Sequence, residues 1–196
     1  MPKIIDHDQR RDEIAFAACK AVARWGFDRV TIAKIAREAG YTTGMVAHYF
    51  DTKQAIILAA LRLISRRMEA RLSNRMDDRG AGLVDVLSEA LPLDRPRILE
   101  TKVWIGFWGH VWSDEKIRDI NLVVHEEWTE LIRKCVVTGW PDVAAWPEKR
   151  QRGVFRSIQI FLNGLTASAV TSPHDWPPED QMEYLKAHLD RLRQSA

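Results

Sequence analysis

Four side chains spaced for one kind of chemistry stand out first. Glu100, Trp104, Trp108 and Trp112 follow one another at four-residue intervals, so on a helix they share a face, with Phe107 beside them. Trp is a rare residue, yet this chain has eight, seven of them after residue 100. Aromatic faces beside a carboxylate attract a quaternary or protonated amine, each face contributing roughly 0.5–2 kcal/mol. Trp128 with Glu127 belongs to a later segment, and Asn163 sits among apolar neighbours in another. The candidate ligand-binding set is therefore Glu100, Trp104, Phe107, Trp108, Trp128 and Asn163. A tryptophan stripe at helical spacing equally suits a packed core, and spacing alone leaves both readings open.

Catalytic patterns are missing. His125-Glu126-Glu127 lacks the second histidine four positions on that a zinc-binding HExxH helix needs. His110 and Asp114 stand at i,i+4 spacing, but two ligands make a poor metal site. The chain holds no glycine-rich phosphate loop, no GxSxG, and no cysteine with a base nearby in sequence. Neither enzyme activity nor a metal or cofactor is expected.

A second pattern runs from Thr31 to Lys53, TIAKIAREAGYTTGMVAHYFDTK. Thr31 is placed to cap a helix, its hydroxyl accepting from a backbone N–H two or three residues on. Ile32, Ile35, Ala36 and Ala39 then recur at three and four, giving one buried stripe. Gly40 suits the left-handed conformation that ends such a helix. Thr42 or Thr43 starts the next one, whose Met45, Val46 and Phe50 are spaced to face inward. Its outward set is unusual: Thr42, Thr43, Gly44, Ala47, His48 and Tyr49 are small, hydroxyl-bearing or aromatic-polar. Two short helices joined this way form a helix-turn-helix, which lays its second helix in the major groove of DNA. A small helical hairpin packed into a core has the same spacing.

The elements that must position these residues read as helices throughout, so an all-α fold is expected. A first helix starts at Asp6 or Asp8, with Ile14, Ala18, Ala21, Val22 and Trp25 inward, and ends before Gly26. Arg10 and Arg11 lie at its exposed start, either near a passing DNA backbone or simply solvated. A long helix over about 52–74 buries Ile56, Ala60, Leu63 and Ile64. Asp77-Asp78-Arg79-Gly80 interrupts the chain, and further helices are expected near 82–91, 95–112, 114–137, 148–171 and 178–193. Gly139-Trp140-Pro141 and Pro173, Pro177 and Pro178 supply the breaks. Residues 1–51 are assigned to a three-helix DNA-binding domain, and 52–196 to a larger helical domain for ligand binding and dimerisation. Met182, Leu185, Leu189 and Leu192 make a narrow seam. Phe155, Ile158, Phe161, Leu162 and Leu165 stripe the helix before it, so the pair can meet a second copy as a four-helix bundle, or face its own chain.

Charge divides unevenly although the net value is only +2. Residues 1–79 hold 15 Lys and Arg against 10 Asp and Glu, and residues 80–196 hold 14 against 17. The basic part is the one with the helix-turn-helix, as phosphate binding wants. MPKIIDHDQRR has no apolar stretch after its charges, so no secretory signal is expected. No run approaches the roughly 18–20 apolar residues that span a bilayer. Cys19 and Cys135 lack ligand spacing and are expected as buried reduced thiols, consistent with a cytoplasmic protein.

Residues 10–55 resemble the N-terminal domain of the TetR family of transcriptional repressors. The resemblance rests on RRDEIAFAACKAVARWGFDRVT, TIAKIAREAG, TTGMVAHYF and the following Asp51-x-Lys53. It implies DNA contact by Thr42, Thr43, Gly44, Ala47, His48, Tyr49 and Lys53, and a phosphate contact at Thr31. Ala47 departs from the many relatives that read a base with Tyr there; it can offer only apolar contact, as to a thymine methyl. ETKVWIGFWGHVW, HEEWTELIRK and FLNGL are similar to BetI-type repressors within the family. The family resemblance implies a homodimer through the last two helices, and the BetI-type similarity implies a small-molecule inducer that is a cationic amine or small and polar. Relatives of this type commonly carry Asp where this chain has Asn163, which removes one negative charge from such a site. The expectation is a ligand-responsive repressor on a palindromic operator. The alternative is a helical adaptor that has lost sequence-specific DNA binding.

Overall fold

The computed structural model describes residues 7–194, and every regular element among them is helical. Helix α1 (His7–Trp25) buries Ile14, Ala18, Ala21 and Val22 and leaves Trp25 half-covered. Gly26 follows at φ 80°, a left-handed conformation that ends the helix. Asp6, one of the two candidate starters, lies outside the described residues.

The next three helices are each capped by a threonine hydroxyl. Thr31 accepts from the Lys34 N–H at 3.3 Å to open α2 (Ile32–Ala39), and Thr42 accepts from the Met45 N–H at 3.1 Å to open α3 (Thr43–Tyr49). Thr52 accepts from the Ala55 N–H at 3.1 Å to open α4 (Lys53–Met76). Each cap satisfies a donor that the helix start leaves unpaired, worth about 1 kcal/mol. Gly40, at φ 72°, closes α2: its N–H reaches Arg37 O, and the Tyr41 N–H reaches Ala36 O at 2.8 Å.

The remaining helices are α5 (Leu83–Ser88), α6 (Arg95–Trp108), α7 (Glu115–Gly139), α8 (Glu148–Thr171) and α9 (Pro178–Gln194), with a 3-10 turn at Pro141–Ala145. Two cores result. The first joins α1 to α4 and takes in Val103 and Phe107 of α6 and Ile117 of α7. The second gathers Leu72 of α4, Leu83 to Leu91, Ile132 to Val136, and the inner faces of α8 and α9. Helix α4 therefore belongs to both.

The structure departs from the sequence pattern at one place and decides two open ones. Helix α6 ends at Trp108, so Trp112 leaves the tryptophan face and is 91% exposed. The His110 ring explains the stop: its Nδ1 takes the Gly106 carbonyl at 2.9 Å, and the His110 N–H tightens onto Phe107 O. His110 and Asp114 do not pair, because Asp114 caps α7 and His110 meets Asp28. In the α9 seam, Leu185 and Leu189 are buried within their own chain, in the core that also holds Phe155, Ile158, Leu162 and Leu165. These stripes face inward because α9 lies against α5 and α8.

Cys19 and Cys135 are free and buried, and burial pushes their thiols up to about 12 and about 11. No helix among the described residues is long and apolar enough to cross a membrane.

Candidate nucleic-acid interface and ligand pocket

The outward side of α3 stands open. Thr31, Thr42, Thr43, Gly44, Ala47 and His48 are exposed, and Tyr49 and Lys53 are half-buried. A Cβ at Gly44 would meet nothing closer than Thr42 Oγ1 at 4.0 Å, so the absent side chain serves no internal packing. Thr31 and Thr42 use hydroxyl oxygens as cap acceptors, and each O–H remains available to donate to a phosphate. Beneath this surface Val46 and Phe50 are buried and fasten α3 to the first core.

Helix α1 holds α3 in place through residues whose role was left open in the sequence. Arg11 Nη1 donates to the Tyr49 carbonyl at 2.5 Å, and its guanidinium lies 4.2 Å from the Phe50 ring centroid. Arg10 donates to Glu13 at 2.9 Å and to the Tyr41 hydroxyl, which in turn donates to Glu13. The half-buried Arg10 thus braces the turn, and the exposed Arg11 braces the end of α3 from the surface. A cation at a helix C-terminus also complements the dipole there.

Behind this unit lies a cavity of about 780 Å³ between α4, α6, α7 and α8. Glu100, Trp104, Trp108, Trp128 and Asn163 line it, as the sequence set proposed. Phe107 does not: it is 1% exposed and sits in the first core, edge-on to Trp104 with centroids 5.9 Å apart. One residue further round α6, Trp108 faces the cavity instead. Helix α4 contributes a wall that the sequence set lacked, including Ile64, Met68 and Arg71. Helix α7 contributes Asn121, Val124 and Leu131.

Glu100 is only 6% exposed, and Arg71 of α4 answers its charge with Nη2 to Oε2 at 2.8 Å and Nη1 to Oε1 at 3.4 Å. Among the described residues, Trp25, Trp140 and Trp146 each have an Arg or Lys over the ring. Trp104, Trp108 and Trp128 have none, so the cavity's aromatic faces carry no protein cation.

Pocket and DNA face are joined through α6. Glu100, Trp104 and Trp108 lie on its cavity side, while Val103 and Phe107 lie in the first core. At its end His110 stacks on Phe27 with centroids 4.2 Å apart, and its Nε2 meets Asp28 Oδ1 at 2.6 Å. Both ring nitrogens face acceptors, which suits the doubly protonated ring. Burial lowers its pKa, but the Asp28 and Gly106 bonds and the Asp28 charge outweigh that, and the net shift is upward. A raised native value means this contact's contribution is complete below the unfolded value of about 6.5 and fades as pH rises through the native one. The melting-temperature gap between wild type and His110→Gln should therefore be wider at about pH 6 than at about pH 8.5. A gap independent of pH would refute the charged-ring assignment.

Comparison with known proteins agrees with this geometry. A family model described as bacterial regulatory proteins, tetR family, matches residues 14–67, and one described as BetI-type transcriptional repressor, C-terminal, matches residues 80–194. The chain is 31% identical over 124 residues to the regulator PksA of Bacillus subtilis, covering 62% of this chain and 60% of PksA. It is 30% identical over 114 residues to BetI of Escherichia coli, covering 56% and 58%. The matched stretches thus span about three-fifths of those relatives. A transcriptional regulator from Rhodococcus superposes with a TM-score of 0.80 at 23% identity, covering 95% and 97% of the two chains. A Saccharomonospora viridis regulator solved in complex with choline gives 0.75 at 23% identity, covering 93% and 96%. At these identities the structures speak for the shared fold. With one family model on the DNA-facing helices and a second over more than half of its length, the chain belongs to the TetR family of bacterial regulatory proteins and has a BetI-type C-terminal region.

Proposed function

We propose that the protein is a homodimeric repressor that binds a palindromic operator and releases it when a small molecule fills the cavity. The observation that carries this reading is α6, which has one face in the cavity and the other in the core of the DNA-facing helices. In this reading Thr31, Thr42, Thr43, Gly44, Ala47, His48, Tyr49 and Lys53 meet DNA, and residues 52–196 sense the ligand and dimerise. The cell compartment that fits is the cytoplasm, where operator DNA lies. The inducer is a cationic amine, supported by the faces of Trp104, Trp108 and Trp128, which no Arg or Lys among the described residues covers, in the cavity that the buried Glu100 also lines. The choline held by the S. viridis regulator is chemistry of this class.

Dimerisation runs through the outer faces of α8 and α9, where Ile160 is 72% and Tyr184 51% exposed and Gly164 leaves open space. Two copies of α3 set about 34–36 Å apart reach two half-sites one helical turn from each other. Ligand shifts the balance to a state with another spacing, and a hundredfold difference in its affinity for the two states corresponds to about 2.7 kcal/mol.

Gel shifts with duplexes from the gene's own upstream region test this. Expected is sequence-selective binding that weakens steeply with salt, and is lost in Ile160→Asp together with the dimer in analytical ultracentrifugation. Absence of any salt-sensitive, selective binding by the wild type would leave the adaptor reading instead.

A further inference from the structure

Among the described residues, Glu100 is the one buried acid lining the cavity. A buried carboxylate needs a counter-cation, and removing its partner is costly. Here the partner comes from α4, the helix that begins at Lys53 directly after the DNA-facing unit. The fit is incomplete, however. Arg71 Nε is buried with no hydrogen-bond partner; Glu89 Oε2, just beyond α5, stands 3.9 Å from it and accepts from Arg97 Nη1 at 3.2 Å. The guanidinium also leaves the Trp104, Trp108 and Trp128 faces unused.

Taking the amine reading above as its basis, we propose that Arg71 is the cation resident on Glu100, which an incoming amine displaces, undoing this polar tie between α4 and α6. The exchange keeps the buried site neutral, since one cation replaces another at the same carboxylate. The amine gains aromatic faces that Arg71 does not touch. Arg71 in turn is free to close on Glu89 and share that carboxylate with Arg97, giving its Nε a partner. A neutral ligand cannot make this exchange, and an anionic one would pair with Arg71 and leave Glu100 bare. Ligand charge is thereby read at the contact that ties the sensing helix to the helix bearing the DNA head.

The full chain carrying Arg71→Gln or Glu100→Gln tests the assignment, with choline chloride and tetramethylammonium in titration calorimetry and an operator duplex in anisotropy. Arg71→Gln should bind choline at least about tenfold tighter than wild type, and Glu100→Gln at least about tenfold weaker. Without ligand, Arg71→Gln should also bind operator about tenfold more weakly, because the tie is already undone. Where Arg71→Gln does not fold, Arg71→Lys, which cannot grip the carboxylate bidentately, should shift choline binding in the same direction by less. Unchanged or weaker choline binding in the Arg71 variants overturns the resident-cation role. Unchanged operator affinity in the ligand-free Arg71 variant overturns the untying. If neither amine binds any form, wild type included, the amine reading fails, and the operator arm alone decides whether Arg71 ties α4 to α6.

Discussion

Leucine in place of Gly44 is expected to weaken operator binding by about a hundredfold or more while leaving the protein at least as stable as before. The two effects separate because Gly44 does no internal work. A Cβ there finds only Thr42 Oγ1, at 4.0 Å, and the residue sits in the first turn of α3 with ordinary helical backbone. Glycine in a helix costs about 0.5–1 kcal/mol relative to alanine, so a side chain there relieves the helix. On the groove side the same side chain keeps α3 away from the bases, and losing one to two base contacts at about 1–3 kcal/mol each gives the stated factor. Thermal melts and operator titration on one preparation decide it. Full operator affinity in Gly44→Leu would mean that α3 does not enter the groove by this end.

The second large effect divides two neighbours on α6. Phe107→Ala should lower stability by about 3–5 kcal/mol, since a ring that is 1% exposed leaves a cavity in the first core. In a chain of this size that is a fall of roughly 10 °C in melting temperature. Trp108→Ala should lower stability less, because its half-buried ring packs against the first core on one side but borders the open cavity on the other. Its loss appears instead in ligand binding, by about threefold to thirtyfold, the worth of one aromatic face to a cation. Denaturant melts and choline titration of both variants measure the contrast. Equal destabilisation would return Trp108 to the core.

Features governed by neighbours in sequence were legible in it. The Thr31 and Thr42 caps, the left-handed Gly40 and the buried Val46 and Phe50 follow from local rules, and the structure has each of them. The tryptophan face was legible as far as Trp108. Its expected continuation to Trp112 failed because α6 is stopped by His110, whose partner Asp28 lies 82 residues away. Proximity in sequence groups Phe107 with the ligand face, although its position on the helix is about 100° from that of Trp108. The first core reaches α6 from that other side, which no local pattern encodes.

Residue type alone does not single out Arg71 among the several arginines of α4. A usable signal existed: it stands seven residues after Ile64 and three after Met68, in line with an apolar stripe where a charge needs a partner. On sequence alone, Arg10 and Arg11 face either phosphate or solvent. Their bonds to Tyr41 and to the Tyr49 carbonyl join positions 31 and 38 residues apart, which a linear pattern does not carry.

The two sealed sulfurs have a practical consequence. With both native thiols inside the cores and held protonated at neutral pH, maleimide dyes have no fast-reacting native target. A single cysteine introduced at the exposed Gln54 then becomes a clean attachment point at the root of each reading head. In a dimer, two fluorophores placed there turn the separation of the heads into an energy-transfer signal, readable as effector is titrated.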